Sequence, residues 1–221
     1  MAIEEFWLNI RTAVRLGSTR AVVDSPSLDA GMIERILRDI NLWLTKRAVE
    51  GYDSSEFDFL SEDERLRLTE SIERFRAVAE HVPGNGPATP QQEKDASRAF
   101  REILAIVRPD KYDSVEAFKI GKKIERMVAD KRPGWVHDLV FETDLDASGD
   151  PALWIWVVAD DEAVKRKDFR DQLATVEERL REATSRESPE RWPYIRLRTV
   201  SERRDHSDDK AARPRTRKVK K

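Results

Sequence analysis

Asp144, Asp146, Ser148 and Asp150 place oxygen-bearing side chains at alternate positions of one short stretch, the spacing in this sequence best suited to chemistry. Carboxylate and hydroxyl oxygens arranged in this way can converge on one hard cation, Mg2+ or Ca2+. Glu142 and Asp160 stand nearby in sequence as reserve ligands. A cation held there would suit a divalent-metal-dependent enzyme of phosphoryl transfer or nucleic-acid cleavage. No glycine-rich phosphate loop with its lysine accompanies these acids, which weighs against a nucleotide site of that type. The same residues also suit a plain hairpin turn, because Asp and Ser bond to their own backbone, Gly tolerates left-handed backbone and Asp150-Pro151 ends the turn.

The second constellation is cationic and aromatic. Arg191, Tyr194, Arg196 and Arg198 lie with Trp192 in one short run, RWPYIRLRT. Arginines alternating with a tyrosine along one strand face offer forked donors to phosphates and a ring to a base. The competing expectation is that these arginines pair with exposed glutamates of the preceding helix. Beyond this run the sequence ends on a basic tail that includes Arg213, Arg215, Arg217, Lys218, Lys220 and Lys221. Residues 210–221 carry seven basic groups and no acidic one, so with a net charge of −2 the rest of the chain stands at −9. An acidic body with a basic tail predicts salt-sensitive contact between the tail and a polyanion such as nucleic acid.

Two short resemblances to known families accompany these sets. DLDASGD, residues 144–150, resembles the first half of an EF-hand calcium loop, with glycine at the sixth place. That family's bidentate glutamate position is taken here by Ile155. In RFRAVAEH, Arg76 followed after four residues by His81 resembles the motif of the small helical HEPN ribonucleases. The resemblance implies metal-independent RNA cleavage by Arg76 and His81. The plain alternative is that His81 ends a helix where a cation suits the dipole. The remaining histidines are scattered, and no serine, histidine and acid triad can be assembled from them. His137, between Trp135 and Leu139 on a strand, is expected to be packed and hydrogen-bonded.

These residues need elements to carry them. Residues 135–143 and 152–159 read as strands joined by the acidic loop, and the second, ALWIWVVA, is apolar on both faces and so expected to be buried on both. A helix, FRDQLATVEERLREA, separates them from a third strand over 191–199, in which Ile195, Leu197 and Thr199 point inward and Tyr194, Arg196 and Arg198 outward. A crossover helix makes the second and third strands parallel, with the first antiparallel to the second. Upstream the chain is helical. Apolar residues recur at helical spacing from about residue 3, over 25–44, and from caps at Ser61, near Gln91 and at Asp113. Proline and glycine over 83–90 and at Pro109 mark breaks.

The sequence therefore predicts an α+β fold: an all-helical domain over 1–132 with about five helices, a small strand-strand-helix-strand domain over 133–201 packed on those helices, and a charged, basic, disordered tail over 202–221. No cysteine occurs, so there is no disulfide framework or thiolate nucleophile. No stretch approaches the roughly 18 apolar residues of a membrane helix, and acidic residues at the N-terminus are unlike a secretory signal. Composition points to a cytoplasmic protein of bacterial type. The leading functional expectation is a non-catalytic accessory protein that binds a protein partner, with a tail that contacts nucleic acid and no required cofactor. The Mg2+ or Ca2+ enzyme at Asp144, Asp146 and Asp150 and the ribonuclease at Arg76 and His81 are its alternatives.

Overall fold

The structure is a computed structural model that describes residues 2–18, 49–81 and 88–203. In chain order it holds helix α1 (Ala2–Ser18), a 3-10 turn (Ser54–Phe57), helices α2 (Glu62–Glu80), α3 (Pro90–Val107) and α4 (Val115–Val128), strands β1 (Val136–Leu145) and β2 (Pro151–Ala159), helix α5 (Phe169–Glu187) and strand β3 (Trp192–Thr199). The fold is α+β, as the sequence predicts. The helix expected over 25–44, most of the proline-glycine loop and the tail from residue 204 lie outside the described residues.

Local sequence sets the helix ends. Ser61 and Glu64 form a reciprocal capping box at α2, and Thr89 with Gln92 does the same at α3, where Pro90 takes the first helical position. Before Pro109, α3 stops on Arg108, whose φ of 45° is left-handed. At α4 the cap is Ser114, one residue beyond the expected Asp113, which instead accepts the Thr143 amide of β1 at 3.1 Å. Thr199 and Glu202 exchange two more bonds, and residues 200–203 form a helical turn where the tail was expected to be disordered from residue 202. A Thr-x-x-Glu box explains the added turn.

The sheet order is β1-β2-β3, with β2 antiparallel to β1 and parallel to β3. Leu139, Phe141, Leu153, Ile155 and Val157 are fully buried on its inner face and join the helices in one apolar core. A chain of rings ties α1 to β1: Trp7 stacks on Phe118 at 5.0 Å, Phe118 meets Tyr112 at 5.1 Å, and Tyr112 lies against Phe141 at 5.8 Å. Gly121 in α4 makes room for this contact, since a Cβ there would sit 2.6 Å from Tyr112 and 2.8 Å from Phe141. The segment before α4 also covers the free edge of β1, with Lys111 O accepting from Phe141 N at 2.9 Å and Phe141 O from Asp113 N at 3.2 Å.

Two expectations about the strands change. Leu153, Ile155 and Val157 of β2 are buried, but Trp154 and Trp156 on its outer face are only half-buried, because side chains of β3 rather than a second apolar layer lie over them. His137 is exposed rather than packed, because the register shifts between Val136 and Asp138 and turns it out of the alternation.

Candidate functional site: the outer face of the sheet

Register assembles the outer face. Asp138, Val158 and Arg198 share one row across the three strands; Val140, Trp156 and Arg196 form the next; Glu142, Trp154 and Tyr194 the third; Asp144, Ala152 and Trp192 the last. Period-two alternation puts all of these on one side, opposite the core set. Tyr194 stacks on Trp154 with ring centroids 4.4 Å apart and planes 18° from parallel. The Arg196 guanidinium lies over Trp154 at 4.3 Å and is 5.4 Å from Trp156; that of Arg198 lies over Trp156 at 3.3 Å. These are short cation–π distances. The Trp156 indole N–H donates to Glu142 at 3.2 Å, which fixes the ring against β1.

Among the described residues, neither the Arg196 nor the Arg198 side chain makes a hydrogen bond or an ion pair at contact distance. The preceding helix does not supply the glutamate partners that the sequence allowed. Burial pulls the Arg198 guanidinium below its usual pKa; Glu142 opposes this and neighbouring Arg196 adds to it. Trp192, in the last row, is 65% exposed. Arg191 is placed elsewhere: it pairs with Glu116 of α4 at 2.7 Å and donates to the Ala152 carbonyl at 3.3 Å, anchoring the start of β3. Tyr194 donates its hydroxyl to Asp146 at 3.1 Å, so the acidic loop and this face touch. Arg213, Arg215, Arg217, Lys218, Lys220 and Lys221 lie outside the described residues.

The acidic loop is a turn held by its own carboxylate. Asp146 accepts from the Ser148 and Asp150 amides at 2.8 and 3.0 Å, while its backbone N–H donates to Asp150 O at 2.8 Å and its carbonyl accepts from Gly149 at 3.1 Å. Gly149 has a φ of 87°, the left-handed position for which the turn needs glycine. The backbone amides of Asp150 and Ser148 hold the Asp146 carboxyl below the usual range. Asp144 accepts from the Leu145 amide at 2.8 Å. Among the described residues no group of three or more His, Cys, Asp or Glu side chains is arranged to hold a metal ion.

Arg76 and His81 point about 140° apart around α2, as five positions at 3.6 residues per turn require. Arg76 donates to Val49 O at 2.6 Å, and His81, which caps the helix, bonds to Ala77 O at 2.6 Å.

A charged cluster that the sequence reading missed closes the other end of the outer face. Asp138, only 6% exposed, takes Lys111 at 2.8 Å, Arg108 at 2.9 Å and Arg203 at 2.9 Å. Asp110 bridges Arg108 and Arg203, and Glu125 of α4 takes Lys111 and the Tyr112 hydroxyl. Burial alone would raise the Asp138 carboxyl, but Lys111 and Arg108 hold it well below the usual carboxylate range. Burial and Glu125 push the Tyr112 phenol well up. Three cations balance three anions here, and each is paired. The sequence carried only a weak signal of it: Asp138 directly precedes the apolar run Leu139-Val140-Phe141 of β1.

No protein-family model, curated protein or solved structure matches the chain, so the arrangement has to be interpreted from its own chemistry.

Proposed function

We propose that this chain is a non-catalytic interaction protein that holds a polyanionic partner on the outer face of its sheet. The observation that carries the reading is the arginine–tryptophan stack. Arg196 and Arg198 are held over Trp154 and Trp156 with their N–H donors uncommitted among the described residues. A guanidinium on an aromatic ring is partly dehydrated and fixed in direction, yet keeps its in-plane donors for an oxyanion. The groups that an enzyme reading would use are engaged elsewhere. Asp146 closes its own turn, Arg76 and His81 bond to separate carbonyls, and Asp138 is paired with Lys111, Arg108 and Arg203. The basic tail adds charge of the same sign to that of the face.

The test uses heparin as a polyanion of no particular sequence. In full-length protein whose seven basic tail residues are replaced by glutamine, retention on immobilised heparin is compared with and without Arg196→Ala and Arg198→Ala. Loss of retention at lower salt in the double variant is the expected result. Elution of both proteins at the same salt overturns the reading.

A further inference from the structure

The proposed reading leaves the chemical class of the polyanion open, and the outer face carries more information than its charge. Arg196 and Arg198 are two residues apart on one strand face, so their Cα atoms stand about 6.6 Å apart. That matches the step between phosphates of an extended single strand, and a guanidinium edge can take a phosphate through two parallel N–H bonds. Acidic side chains on an extended peptide could match the same spacing, so charge and distance alone do not decide between them.

Trp192 discriminates. The residue is 65% exposed on the same outer face, three rows from Arg198, in the row of Ala152 and Asp144. An exposed indole in line with two phosphate donors suits the stacking of a planar base, for which an acidic peptide has no equivalent. The acidic loop beside this row, with exposed Asp144 and Asp150, disfavours phosphate there, so the close phosphate contacts fall at the Arg196–Arg198 end while the strand reaches Trp192 with a base. In sequence the basic tail begins at Lys210, twelve residues beyond Arg198, after a stretch that carries charges of both signs. Guanidinium groups held over Trp154 and Trp156 on a sheet are poorly placed to enter a duplex groove and well placed for an unpaired strand.

We infer that the outer face binds single-stranded nucleic acid, with Arg196 and Arg198 taking successive phosphates and Trp192 stacking a base. This rests on the reading of the face as a polyanion site. A labelled oligouridylate of about 12 nucleotides is titrated by fluorescence anisotropy at several salt concentrations. The protein is full length with its tail basic residues replaced by glutamine. Polyglutamate of equal charge and a duplex of equal length serve as competitors.

Arg196→Ala with Arg198→Ala is expected to flatten the plot of log affinity against log salt by about 1.4, two single-strand phosphates at about 0.7 each. Trp192→Ala is expected to weaken binding about fivefold or more with the slope unchanged. Arg196→Lys with Arg198→Lys keeps the charge and is expected to keep the slope, which separates phosphate contact from damage to the fold. Competition by polyglutamate or duplex as strong as that by unlabelled oligouridylate, or no effect of Trp192→Ala, overturns the nucleic-acid assignment. Heparin retention that depends on Arg196 and Arg198 would in that case leave the polyanion face standing. An unchanged slope in the double alanine variant overturns the nucleic-acid assignment, and equal heparin elution besides overturns the polyanion face as well.

Discussion

Replacing Asp138 by asparagine tests the charge cluster that joins the sheet to the helices. The side chain is almost isosteric, so packing is kept while one negative charge is removed from the midst of three cations. Arg108 and Arg203 keep Asp110, at 3.0 and 3.4 Å, and Arg108 is about one-third exposed, so water offsets part of their loss. Lys111 is the residue that suffers. It is 6% exposed, and Glu125 is the one anion it keeps among the described residues. Breaking a buried pair by removing one partner costs about 3–5 kcal/mol, and the retained Glu125 places this case at the lower end, about 3 kcal/mol. For a chain of this size that corresponds to a fall in Tm of about 6–12 °C. Urea unfolding followed by tryptophan fluorescence at pH 7 measures it. Lys111→Met alone should also destabilise, but the two changes together should cost less than their sum, because the ammonium that Asp138→Asn leaves short of a partner is then absent. The pH dependence fixes the sign. A carboxyl depressed in the folded state contributes fully above its unfolded value of 3.8 and loses that contribution as pH falls toward the folded one. The gap between wild type and Asp138→Asn should therefore be widest near neutrality and close in acid. A cost below about 1 kcal/mol at pH 7, outside the range for a broken buried pair, or strict additivity with Lys111→Met, would refute the account.

Two further expectations follow from the geometry. Gly121→Ala puts a methyl into the aromatic contact of Tyr112 with Phe141 and should destabilise by about 1–3 kcal/mol, read as a lower urea midpoint with unchanged slope. Asp146→Ala with Asp150→Ala should lower the thermal midpoint slightly through loss of the turn bonds, and millimolar Mg2+ or Ca2+ should shift neither this variant nor wild type. A rise in the wild-type midpoint that the double variant lacks would move the metal-dependent enzyme from alternative to leading reading.

Much of the fold was legible because it rests on local rules. ALWIWVVA announced β2, the helix of 19 residues after it made β3 parallel, and Ser61-x-x-Glu64 marked the start of α2. The details that escaped depend on register or on distant charges. Nothing in the order of residues places Arg108, Asp138 and Arg203 together, since 30 residues separate the first two and 65 the last two. The pairing of Trp156 with Arg196 follows from parallel register, which the sequence constrains in direction but not in offset. The oxygen spacing of Asp144 to Asp150 was legible, but not the fact that Asp146 spends its oxygens on Ser148, Asp150 and Tyr194.

Under the proposed reading, the two faces of β2 divide labour in a way that ties stability to binding. Leu153, Ile155 and Val157 are held in the core, so the tryptophans between them must point outward, and large indoles left bare there would form a patch prone to association. Covering them with leucine would bury them but leave no donors. Covering them with arginine shields the rings while keeping charge at the surface, and the ring contact restricts a side chain that otherwise holds about 2 kcal/mol of rotamer entropy. Part of the ordering that a free arginine would undergo on meeting a phosphate has then already occurred in the folded chain, with burial of Trp154 and Trp156 as the compensating gain. The arrangement that makes the outer face tolerable in water is therefore the same one on which the proposed anion binding rests.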